Sequence, residues 1–294
     1  MSLLASIPSP SSGVLELGPL TVHMYGLMLL LGVAGAVVVT GFRWQRLGGD
    51  WDLVLRVAVW GVAAGIVGAR LYHVVTSWSE VPDPKWRGVF AVWEGGLGIW
   101  GGILFGVIAG SIVVWRAGAS VREMLDAAAP GLLVAQAIGR IGNWWNQELF
   151  GEPSDRAWAL EIDPERRPFG YENSETFHPI FLYELLYNLT VAGVLILVAL
   201  RFRIRPPGLF ALYVALYSFG RFFEELLRID SAHEFGPLRL NAWVSIVVFL
   251  GAVSFFLWWQ FLRRRVEGAG TPPAGRPNGP TMAIPRGRRV RPRR

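Results

Sequence analysis

Seven stretches of about 20 mainly apolar residues constrain this chain more than any other feature. They lie near 21–41, 54–76, 97–116, 125–146, 180–200, 208–228 and 242–262. A helix of that length crosses the hydrocarbon core of a bilayer, where no water is present to satisfy an irregular backbone. The predicted fold is an all-α integral membrane protein of about seven transmembrane helices. Composition agrees. Of the 294 residues, 52% are hydrophobic and 17% charged, whereas soluble domains carry about a quarter charged residues. The 35 glycines, 14 tryptophans and 17 phenylalanines suit close helix packing and interfacial anchoring. Residues 1–19 lack the basic start and apolar core of a cleavable signal peptide, so the first span is expected to stay in the mature protein.

Charge sets the expected sidedness. Arg43 and Arg46 follow the first span, Arg116 and Arg122 the third, and Arg201, Arg203 and Arg205 the fifth. Arg263, Arg264 and Arg265 follow the seventh. Basic residues collect on the cytoplasmic side, so the N-terminus is expected outside and the C-terminus in the cytoplasm. The loop 147–178 carries Glu148, Glu152, Asp155, Glu161, Asp163 and Glu165 and is expected on the outer, periplasmic side. Residues 1–266 read as one transmembrane domain. Residues 267–294, rich in Pro, Gly and Arg, read as a disordered basic cytoplasmic tail, drawn to anionic lipid rather than to nucleic acid. Absence of cysteine excludes disulfides, thiolate metal sites and a cysteine nucleophile of the chain's own. His23, His73, His178 and His233 form no pair at metal-ligand spacing, so no metal is expected.

Polar residues inside the spans carry the functional signal, because an arginine at a helix centre costs about 2.5–3.5 kcal/mol on insertion scales. In the fourth span, Gln136, Arg140, Asn143 and Gln147 share one helical face, with Gly139 and Gly142 beside Arg140. In the sixth, Tyr217, Arg221, Glu225 and Arg228 repeat the spacing, with Glu224 adjacent. Arg221 and Glu225 could simply pair at i,i+4, but a single such pair leaves Arg140 unaccounted for. Two arginines facing one cavity call for an anion. The guanidinium fork matches phosphate, and the commonest phosphate in a membrane belongs to a lipid. Tyr25, Glu94, His178, Tyr183 and Glu184 gather toward the same ends of the spans.

The run GRIGNWWNQELFG at 139–151 resembles the signature of the bacterial prolipoprotein diacylglyceryl transferases. Further matches follow in order: HMYGL at 23–27, GARLYH at 68–73, WEGG at 93–96, HPIFLYE at 178–184 and GRFFEELLR at 220–228. The resemblance covers about residues 20 to 262. It implies transfer of diacylglycerol from phosphatidylglycerol to the lipobox cysteine of prolipoprotein signal peptides in the bacterial inner membrane. A thioether forms, glycerol phosphate leaves, and no cofactor is needed. It implies catalytic roles for Arg140, Arg221, Tyr25 and Glu225. Substrate contacts are implied for Asn143, Asn146, Glu148, Gly142, Tyr217, Glu94, His178 and Glu184. One departure stands out: Trp100 occupies a position where many relatives carry histidine, and Trp cannot accept a proton. His73, His178, Glu225 and Glu148 are then the candidate bases. The alternative reading is a transporter of an anionic lipid or solute, against which the lack of an internal repeat weighs.

Overall fold

The computed structural model describes residues 6–18, 20–229 and 234–263. His233, Arg264, Arg265 and the basic tail 267–294 lie outside them. A hairpin of β1 (Val14–Leu17) and β2 (Leu20–His23) leads into α1 (Met24–Arg46), then α2 (Trp51–Thr76), the short α3 (Lys85–Gly88) and α4 (Ile99–Arg116). Next come α5 (Val121–Asn146), β3 (Leu160–Glu161), β4 (Thr176–Phe177), α6 (Ile180–Arg201) and α7 (Gly208–Leu227). A second hairpin of β5 (Glu234–Phe235) and β6 (Leu238–Arg239) precedes α8 (Leu240–Leu257), which a π-helical turn extends to Leu262.

Six of these helices are long and apolar enough to cross a membrane: α1, α2, α4, α5, α6 and the Leu240–Leu262 stretch. The chain is a multi-pass helical membrane protein. The sixth expected span, 208–228, corresponds to α7, a helix of 20 residues whose end carries Arg221, Glu224 and Glu225. Those charges take it out of the apolar class, and they are the ones that build the site described below. Leu30, Val59, Leu197, Leu200 and Val247 are each at least 65% exposed on four of the helices. Apolar surface this extensive belongs against lipid. Local signals set the helix starts: Asp50 accepts from Asp52 N–H to cap α2, and Ser120 accepts from Glu123 N–H to cap α5.

Small residues let the helices approach closely, as membrane packing favours. α1 lies along α5, where a Cβ on Gly32 would sit 2.9 Å from the Ala135 carbonyl oxygen. α2 lies along α4, with Gly68 and Gly101 in backbone contact. α6 runs back antiparallel along α5 over Leu133, Val191 and Leu195, and α7 and α8 complete the bundle. At one end, Phe150, Leu160, Ile162 and Phe177 form a small core beneath the 147–178 loop. The N-terminal segment joins it through an Ile7–Leu160 bridge. That loop is therefore an ordered cap, not a plain acidic connection.

Candidate active site

The last turns of α5 and α7 and the first turns of α6 meet under this cap. Because α6 is antiparallel to α5, Glu184 lies opposite Arg140, and the α7 residue Arg221 approaches the same carboxylate. Glu184 is 2% exposed. One of its oxygens, Oε2, pairs with Arg140 Nε, and the other, Oε1, accepts from Arg221 Nη1 at 3.1 Å. Arg221 Nη2 donates to Glu225 Oε2 at 2.8 Å, and Nη1 lies 3.6 Å from Glu224 Oε2. Glu225, 1% exposed, also meets Arg239 at 3.3 Å and Arg228 at 3.6 Å. Ions taken out of water survive only when paired and hydrogen-bonded. Here one buried carboxylate holds two arginines of different helices side by side.

Arg140 continues the network along its own helix. Its Nη1 donates to Asn143 Oδ1 at 3.3 Å, and Asn143 Nδ2 donates to Glu148 Oε1 at 2.8 Å. Asn146 Nδ2 reaches the same oxygen at 3.3 Å. Arg140 Nη2 has no hydrogen-bond partner among the described residues, so one edge of the fork is open to a ligand. Gly142 lets Tyr25 of α1 lie against α5, since a Cβ there would come within 2.7 Å of the ring. Tyr25 is within electrostatic reach of Glu148 and Arg140, and Tyr217 within reach of Arg140. Arg140, Arg221, Glu225, Asn143, Asn146, Glu148, Gly142, Tyr25, Tyr217 and Glu184 are thus drawn into one cluster.

Other sequence candidates make contacts of their own. His178 Nδ1 pairs with the Tyr183 hydroxyl at 3.0 Å, and that hydroxyl also accepts from Trp158 at 3.0 Å. The His178 backbone ties to Gly151 and Glu152, so its visible role is to seat the cap on α6. Gln147 leaves the helical stripe as a left-handed C-cap with φ 51°, and its amide holds Pro10 and Asp163. Glu94 is exposed in the turn Val92–Glu94, and no hydrogen bond or ion pair among the described residues joins it to the arginine cluster. Trp100 is 54% exposed on the first turn of α4.

Sequence reasoning missed Arg70 as an organising residue, although its motif was visible. Arg70 is 4% exposed and clamps four backbone carbonyls: Val89 at 3.1 Å, Gly95 at 2.6 Å, Gly96 at 3.0 Å, and Gly88. Gly95 and Gly96 have φ of 85° and 66°, a backbone form open to glycine at little cost. The GARLYH and WEGG motifs therefore form one unit, with His73 packed on Gly96. We expect Arg70→Met to release this turn. Limited proteolysis should then cut within residues 85–98 about tenfold faster than in wild type, since loops open locally when their hydrogen bonds are lost.

Comparison with known proteins points one way. The family model for prolipoprotein diacylglyceryl transferase matches residues 12–258. The chain is 49% identical over 255 residues to phosphatidylglycerol–prolipoprotein diacylglyceryl transferase 2 of Streptomyces coelicolor, covering 85% of this chain and 80% of that one. It is 48% identical over 257 residues to the enzyme of that name from Cutibacterium acnes, covering 87% of each. With the Frankia alni enzyme it shares 47% over 271 residues, covering 90% of this chain and 70% of the relative.

Proposed function

The chain belongs to the prolipoprotein diacylglyceryl transferase family, and we propose that it moves a diacylglyceryl group from phosphatidylglycerol to a prolipoprotein cysteine with Arg140 and Arg221 as the phosphate clamp. The observation that carries the site reading is the pair of guanidiniums fixed on the two oxygens of Glu184, with Arg140 Nη2 still open.

The chemistry follows from the charges. The acceptor thiolate attacks the glycerol carbon that bears the phosphoester. A C–S bond forms, the C–O bond breaks, and the phosphate leaves as glycerol phosphate. One extra negative charge then develops on that phosphate. Donors already oriented toward a developing charge stabilise it more than water does, because they need no reorganisation. Arg140 and Arg221 fill that role. Their field also favours thiolate over thiol at an incoming cysteine, whose ordinary pKa is about 8.5. The chain's lack of cysteine fits a nucleophile supplied by the acceptor. Glu225 and His178 are committed to Arg221 and Tyr183, and His73 packs on Gly96 in the turn that Arg70 holds, so we assign removal of the thiol proton to Glu148, an exposed carboxylate held by two asparagine amides. Tyr25 and Tyr217 would close the cavity around the headgroup.

The acceptor is read as the lipobox segment of a signal peptide, and the membrane as the bacterial inner membrane. The arginines after α1, α4 and α6 favour a cytoplasmic location for those ends, which puts the Arg140 cluster and the 147–178 cap on the periplasmic side. Residues 1–266 would be the catalytic unit. The experiment is reconstitution in phosphatidylglycerol vesicles with a synthetic lipobox peptide. The cysteine peptide should gain the mass of diacylglycerol, and its Cys-to-Ser counterpart should gain none. Equal modification of both peptides would overturn thiol attack.

A further inference from the structure

A second feature lies at the opposite end of α7 and α8, away from Arg140. There the two helices leave an apolar groove of about 320 Å³, lined among others by Pro207, Ala211 and Val214 on one side and Gly251, Ala252 and Phe255 on the other. A Cβ built on Gly251 would meet nothing within 4 Å, so the glycine opens the groove rather than serving a helix contact.

The rim is strongly basic. Trp259, 5% exposed, carries the guanidiniums of Arg263, Arg205 and Arg122 at 4.2, 4.8 and 5.1 Å from its ring centre. The groove and this cluster are continuous. Phe255 of the groove stacks on Trp259 at 5.8 Å, and Trp259 Nε1 donates to the Pro206 carbonyl beside Pro207. Asp126 borders the groove, but its carboxylate accepts from Phe210 N–H at 2.8 Å, and Arg43 binds the backbone next to it. Three positive charges around one indole thus adjoin a hydrocarbon-sized slot.

We propose that this groove and its arginine rim form a binding site for an anionic phospholipid, with an acyl chain between α7 and α8 and the phosphate against Arg122, Arg205 and Arg263. Every side chain that lines the groove is apolar, which suits an acyl chain. Charge selects the headgroup. Basic residues at a membrane face attract anionic lipids, and a signal peptide's own basic end would be repelled. The site is separate from the transfer site and does not depend on the reaction proposed above.

The test is photo-crosslinking in phosphatidylcholine nanodiscs, with probes bearing a diazirine on the acyl chain and either a phosphatidylglycerol or a phosphatidylcholine headgroup. Labelling of residues 207–214 and 248–255 should favour the phosphatidylglycerol probe by about tenfold, the scale expected for a few basic residues at the surface. Arg205→Gln with Arg263→Gln should bring the two probes level, while the corresponding double Lys variant keeps most of the preference. Gly251→Leu should lower labelling by both probes, and Arg140→Ala should leave it unchanged, so failure here would not bear on the transfer reaction. Equal labelling of the wild type by both probes would overturn the proposal, as would a preference that survives the Gln changes. Crosslinks between two copies of the chain at this groove would overturn it too.

Discussion

Arg140→Lys is expected to transfer diacylglycerol about 100-fold more slowly than wild type, in the range found when one donor to a developing oxyanion is removed. The substitution keeps the positive charge. It loses the planar fork that lets Nε face Glu184 while Nη1 holds Asn143 and Nη2 stays open. An ammonium is a point charge and cannot serve those three directions at once. Initial rates in phosphatidylglycerol vesicles, with protein matched by size-exclusion profile, check this. A variant within threefold of wild type would mean that charge alone is sufficient and that the fork geometry is incidental.

Glu184→Leu should damage the protein itself. Removing one partner of a buried ion pair costs about 3–5 kcal/mol, because the remaining charge is left uncompensated. Here the loss falls on Arg140 and Arg221 together. Thermal unfolding in detergent should move down by many degrees. Adding Arg140→Leu should restore part of that stability, since replacing both partners by apolar groups is far less costly than replacing one. It should not restore transfer. A Glu184→Leu protein as stable as wild type would show that the carboxylate is not the brace described.

Much of this was legible in the sequence. The apolar spans announced α1, α2, α4, α5 and α6 to within a few residues, because hydropathy over 20 residues is a strong signal. Arg140 and Arg221 stood out because the membrane makes such residues costly. Glu184 was visible as one of several polar residues at a span's start, but its bridging role was not. It contacts Arg221 from 37 positions away, and no helical spacing reports a contact between helices. Arg70 was hidden for a different reason. Its partners are backbone carbonyls of Gly88, Val89, Gly95 and Gly96, which leave no side-chain trace in the sequence. The cap was masked by its acidic composition, although Leu160, Ile162 and Phe177 supply the apolar side chains of a small core. Glu94 and His178 read as site residues from their motifs, yet the contacts formed by His178 are those of the cap, and no hydrogen bond or ion pair among the described residues joins Glu94 to the arginine cluster.

The most direct measurement counts both products of a single reaction. Purified protein in phosphatidylglycerol vesicles, wild type beside Arg140→Ala, is given the lipobox peptide, and thioether-linked diacylglyceryl peptide and free glycerol phosphate are quantified together. The account predicts equal amounts of the two from wild type and almost none of either from Arg140→Ala. Glycerol phosphate released without modified peptide would make the protein a lipid hydrolase. Wild-type yields retained by Arg140→Ala would contradict the phosphate clamp at the centre of the account.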